Sequence, residues 1–119
     1  MKKKILVVER DKDILEIVTY ILKDKGYDVL ASQSEEGILH QILTFNPDAI
    51  LLDIIQPSDQ GTELCRQIKA ADKIKHIPVI VLSTHTNAAS MKEVCADDIL
   101  SKPFDISELV DILKKQLVS

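Results

Sequence analysis

At 119 residues the chain is long enough for one domain with a proper core, and 45% of its residues are hydrophobic. With no Trp, two Tyr and two Phe, that core must be aliphatic. A net charge of −4 argues against a nucleic-acid-binding surface, and no apolar run is long enough to span a membrane, so a cytoplasmic protein with neither kind of partner is expected.

Ile5-Leu6-Val7-Val8 reads as a buried strand. Ile14, Ile17, Val18, Ile21 and Leu22 then recur at helical spacing along one face, and Gly26 after Lys23 and Lys25 stops that helix. Asp11 and Asp13 precede it, where acids favour the helix dipole and one serves as cap, Asp13 being the stronger candidate. Val29-Leu30-Ala31 is a shorter strand, and Ser34 is read as the cap of a helix carrying Ile38, Ile42 and Leu43. Asn46-Pro47 turns the chain into the run Asp48 to Ile55, whose apolar strand is closed by Asp53. Pro57 to Gly61 reads as loop, and Leu64, Cys65 and Ile68 mark a third helix.

Pro78 opens the strand Val79-Ile80-Val81-Leu82, a position where proline is tolerated. Met91, Val94 and Cys95 suggest a short fourth helix, and Ile99-Leu100 a short fifth strand. Asp105 with Glu108 resembles a capping box opening a last helix on Ile106, Leu109, Val110, Leu113 and Leu117. Five βα units whose strands lack polar alternation imply an α/β fold, a parallel sheet with helices on both faces. Cys65 and Cys95 have no metal-ligand spacing and are read as small buried hydrophobes in a reducing cytosol. His40, His76 and His85 do not cluster and receive no role.

A parallel sheet lines up the C-terminal ends of its strands along one edge, where such folds place their sites. That edge gathers Glu9-Arg10-Asp11, Asp53, Ser83-Thr84 and Lys102-Pro103. A carboxylate closing an apolar strand is costly unless something pairs with it. Here the neighbours suit a phosphoryl group: acids to hold Mg²⁺, an aspartate as acceptor, a hydroxyl and a lysine for the phosphoryl oxygens.

On these residues, in order at four strand ends, the chain resembles the receiver domains of two-component response regulators. The resemblance rests on Ile5-Leu6-Val7-Val8-Glu9-Arg10, on Leu51-Leu52-Asp53-Ile54 with Pro57 and Gly61, on Pro78 to Ser83, and on Lys102-Pro103-Phe104. It covers essentially the whole chain, so residues 1–119 are expected to form one receiver domain without an output domain. The implied fold is flavodoxin-like and doubly wound, with five parallel strands in the order 2-1-3-4-5. The resemblance makes Asp53 the phosphoacceptor, Ser83 and Lys102 the phosphoryl-binding pair, and Glu9, Asp53 and the Ile55 carbonyl the metal site. It also implies a histidine kinase or histidine phosphotransfer protein as donor, and a protein target read through the predicted fourth helix, fifth strand and last helix. The domain would be a signalling module, catalysing at most its own phosphorylation and dephosphorylation.

Four departures stand out. Arg10 occupies the second acidic metal position, Thr84 replaces a small residue, Ile99 stands at a switch position that is commonly aromatic, and the stretch from Ser83 to Lys102 is short by about one helical turn. Arg10 is open to three readings. It is a solvated loop charge, or it takes the metal's place and pairs with Asp53, or it leaves weaker Mg²⁺ binding to Glu9 and Asp53. An Arg10–Asp53 pair would be worth about 1 kcal/mol at roughly 4 Å in water, and severalfold more when partly buried. The rival functions are accordingly a pseudo-receiver that is never phosphorylated, a flavodoxin-type FMN carrier, and a phosphatase. The FMN carrier lacks a suitable phosphate loop. The phosphatase would want a second acid where Ile55 stands.

Overall fold

Strands form where aliphatic residues run without polar interruption, and helices where they recur every three or four positions. The structure, a computed structural model, describes residues 2–53, 60–83, 95–102 and 104–117. In chain order these give β1 (Lys4–Val8), α1 (Lys12–Asp24), β2 (Asp28–Ser32), α2 (Ile38–Phe45), β3 (Ala49–Asp53), α3 (Gln60–Ala70), β4 (Val79–Ser83), β5 (Asp98–Ser101) and α4 (Ile106–Leu117). All strand pairs are parallel, in the order β2-β1-β3-β4-β5. The expected doubly wound topology is therefore the one observed.

Alternation along the strands divides the core into two layers. Leu6, Val8, Ile50, Leu52, Val79 and Val81 pack with Ile38, Ile42, Leu64 and Ile68 of α2 and α3. Ile5, Val7, Leu51, Ile80, Leu82 and Leu100 pack with Leu15, Val18, Leu22, Leu109 and Leu113 of α1 and α4. The inner strands β1, β3 and β4 are covered on both faces, which is why their sequences show no polar alternation.

Several local expectations need correction. The buried stripe of α1 is Leu15, Val18 and Leu22, while Ile17 is 59% exposed. Asp11, not Asp13, caps α1: its carboxylate accepts from the amides of Asp13 and Ile14. Ser34 does not cap α2. Its hydroxyl accepts from the Glu36 amide, and α2 starts after Gly37, whose φ of 74° is left-handed. Helix α3 begins at Gln60, so Gly61 is helical rather than loop. The predicted fourth helix falls largely outside the described residues, and its last member, Cys95, lies in a turn.

Other readings hold. Gly26, at φ 95°, follows the end of α1, and its amide donates to the Lys23 carbonyl. The capping box is reciprocal: the Glu108 amide donates to Asp105 Oδ1 at 2.8 Å, and the Asp105 amide to Glu108 Oε1 at 3.3 Å.

The cysteines are buried, as expected, but they are not unpaired thiols. Cys65 of α3 is bonded to Cys95, with 5.7 Å between their Cα atoms. Parallel crossovers carry α3 beside the entry to β5, a proximity that cysteine spacing alone does not reveal. The same corner is tied by Lys69, whose ammonium lies 2.5 Å from Asp97 and donates to the Ile77 carbonyl at 2.8 Å.

Candidate functional site

The site is built where the inner strands end. Val8 of β1 pairs with Leu52 of β3, and Asp53 with Leu82 of β4, so Glu9, Asp53 and Ser83 follow one another across the sheet edge. All three are buried polar residues, 0%, 4% and 2% exposed. Lys102 follows β5, and its amide donates to the Ser83 carbonyl at 2.9 Å. That bond continues the β4–β5 ladder by one step and aims the lysine back across the edge.

Lys102 Nζ donates to Asp53 Oδ1 at 3.0 Å and stands 2.5 Å from Glu9 Oε1. The second contact is an ion pair without hydrogen-bond geometry, and among the described residues Glu9 Oε1 has no hydrogen-bond partner. Glu9 Oε2 accepts from the Asp11 amide at 3.3 Å.

Among the described residues two acids share this pocket with Lys102, and their affinities for protons separate. Burial, then the neighbouring Asp53 carboxyl, pushes Glu9 up to about 7. Burial also works against charge on Asp53, but hydrogen bonds from Glu9 and Lys102 outweigh it and hold that carboxyl low. Burial opposes the charge on Lys102 too, yet its contacts with the Glu9 and Asp53 carboxyls raise its pKa. Asp53 is thus the carboxyl held low, and Glu9 the one of the pair that takes up a proton first.

Of the three readings open for Arg10, a pair with Asp53 is not found among the described residues. Among the described residues its guanidinium pairs with Glu35 at 2.5 Å, while its backbone amide helps to lower the Asp53 pKa. Glu35 follows β2, the strand beside β1, and its side chain is only 10% exposed. Arg10 is therefore engaged with protein rather than a purely solvated loop charge. The sequence reading missed Glu35, whose only signal was an acid following a neighbouring strand.

Thr84 and Ile55 lie outside the described residues. Ile99 lies on β5 opposite Val81, half-buried against the α2–α3 layer. The sheet edge thus gathers Glu9, Asp53, Ser83 and Lys102, and leaves Ile99 away from the charged cluster.

As for a divalent cation, Glu9 and Asp53 are oxygen donors of the right kind, and Glu9 Oε1, which has no hydrogen-bond partner among the described residues, is a buried acceptor now facing only the Lys102 ammonium. Arg10 adds no donor. The pair fits Mg²⁺ as two ligands, in competition with Lys102 for the same oxygens.

Known proteins share this fold. A response regulator receiver domain profile matches residues 5–114. A protein from Chloroflexus aurantiacus described as a response regulator is 30% identical, with each chain covered in full and a TM-score of 0.91. The chemotaxis response regulator CheY4 of Vibrio cholerae is 27% identical over 98% of this chain and 100% of its own, with a TM-score of 0.88. The signal receiver domain of a signal transduction histidine kinase from Syntrophus aciditrophicus is 28% identical over 97% of this chain and 89% of its own, with a TM-score of 0.85. With its strand order and its edge of acid, hydroxyl and lysine, this chain belongs to the response regulator receiver domain family.

Proposed function

We propose that the protein relays a signal by accepting a phosphoryl group on Asp53 from a phosphohistidine of a partner kinase or phosphotransfer protein. The observation that carries this reading is Lys102 Nζ held 3.0 Å from Asp53 Oδ1 in a pocket that keeps Asp53 ionised. An ionised carboxylate is the nucleophilic form. Its oxygen forms the new P–O bond while the P–N bond to the imidazole breaks, and the departing imidazole regains a proton from solvent.

Lys102 and the Ser83 hydroxyl would then bind the phosphoryl oxygens. When bound through Glu9, Asp53 and the Ile55 carbonyl, Mg²⁺ would supply positive charge against the incoming phosphoryl group. The ionised carboxylate becomes an acyl phosphate carrying about −1.5 to −2 on its phosphoryl oxygens, a net gain of roughly one negative charge, so the Lys102 contacts must redistribute. Because Lys102 directly follows β5, that change would reach β5 and α4, with Thr84 and Ile99 at the switch positions. A protein target reading this face would complete the relay, in the cytoplasm.

A second reading is an interaction module that is not phosphorylated, favoured by Arg10 at the second acidic position. In that case Arg10 acts through Glu35, with which its guanidinium is paired. Incubation with acetyl phosphate and Mg²⁺ separates the two. The relay expects wild type to gain the mass of one phosphoryl group and Asp53→Asn to gain none. An unchanged wild type that gains a phosphoryl group only as Arg10→Asp would favour the second reading.

A further inference from the structure

We propose that Cys65 and Cys95 are a reversible redox pair whose state sets how firmly the entry to β5, and with it Lys102, is held against α3. Cys65 is fully buried on α3, and Cys95 is 7% exposed three residues before β5 begins. Their bond therefore clamps the leading end of a strand whose trailing end delivers the site's cation. β5 is the outer strand of the sheet and pairs with β4 alone among the described strands, so a clamp at its entry has a large share in its restraint.

Cleaving the bond would loosen this corner without undocking it. The Asp97 amide still donates to the Val79 carbonyl at 2.9 Å, and the Val79 amide to Asp97 Oδ2 at 2.8 Å. Lys69 still pairs with Asp97. Two reduced cysteines would remain as small apolar residues of the α2–α3 layer. Both states are thus compatible with the fold, as a switch requires.

Oxidation joins the two sulfurs with loss of two protons and two electrons. A small disulfide such as oxidised glutathione accepts them as its own S–S bond breaks and two thiols leave. In reduction a thiolate attacks at Cys95, the more exposed residue of the two, and Cys65 departs as the thiolate before a second thiol completes the exchange.

The effect on Asp53 rests on the phosphoacceptor reading, and the test separates the two. The full chain is equilibrated in a series of glutathione redox buffers, its thiols are counted by alkylation and mass, and amide exchange is followed over residues 95–101. Both thiols should appear together in one transition, and exchange should be about tenfold faster in the reduced protein. Cys65→Ser/Cys95→Ser should match the reduced wild type, which serves alone should the variant not fold. Phosphorylation by acetyl phosphate should change rate between the states by about threefold or more. Thiols that stay free, or stay bonded, in every buffer would overturn the proposal, as would exchange that is the same in both states. A difference in exchange with no phosphorylation in either state would retain the redox pair and remove the Asp53 reading.

Discussion

Lys102 is the residue on which the site's electrostatics turn, because it is the close cation for two buried carboxylates. Breaking a buried ion pair by removing one partner leaves an uncompensated charge, which costs about 3 kcal/mol or more. Lys102→Met should therefore lower the urea midpoint of wild type substantially, and should cost much less in an Asp53→Asn background. Equal costs in the two backgrounds would mean that the pair is not coupled. Arg10 shows where sequence reading stops at this scale. Its departure from the family pattern was visible, but its partner was not. Whether a guanidinium turns toward Asp53 or Glu35 depends on where the β2–α2 connection lies, and residues 33–37 carry no periodic signal.

At the scale of elements, legibility followed the strength of the local rule. The buried strands and the Asp105/Glu108 box were readable because apolar runs and reciprocal caps are local patterns. Ser34 failed as a cap because its hydroxyl closes a tighter turn on Glu36, leaving Gly37 to start α2. Asp11 rather than Asp13 caps α1, so Asp11→Ala should cost about 1 kcal/mol, and Asp13→Ala, in the first turn, a few tenths. Thermal melts of the two variants test that ranking, and a larger loss for Asp13→Ala would reverse it.

Asp98 joins β5 to α4. Burial alone would raise its pKa, but the Ile99 amide and the Gln116 and Lys115 side chains outweigh that and hold it below the usual carboxylate range. A carboxyl depressed in the folded state stabilises above its unfolded pKa, and that contribution is lost as pH falls through the folded value. Asp98→Asn should therefore destabilise by about 1 kcal/mol at neutral pH and flatten the acid limb of a stability–pH profile below about pH 4. An unchanged acid limb would assign that dependence to other groups.

For the molecule as a whole, the topology followed from five aliphatic strands separated by helical periods, since unalternated strands must be covered on both faces. The disulfide could not be read that way. It depends on α3 and the β5 entry meeting across a crossover, and Cys65 and Cys95 are as suited to a plain core as to a bond. By restricting the unfolded chain, the bond should add about 3 kcal/mol to global stability, so reduction should lower the urea midpoint while unfolding stays cooperative. The central claim remains that Asp53 takes a phosphoryl group. Its most direct test is to phosphorylate the full chain and reduce any acyl phosphate with borohydride, which converts a phosphorylated aspartate to homoserine. Peptide mapping should find homoserine at position 53 and nowhere else. Homoserine at another acid, or none after any donor, would contradict the account.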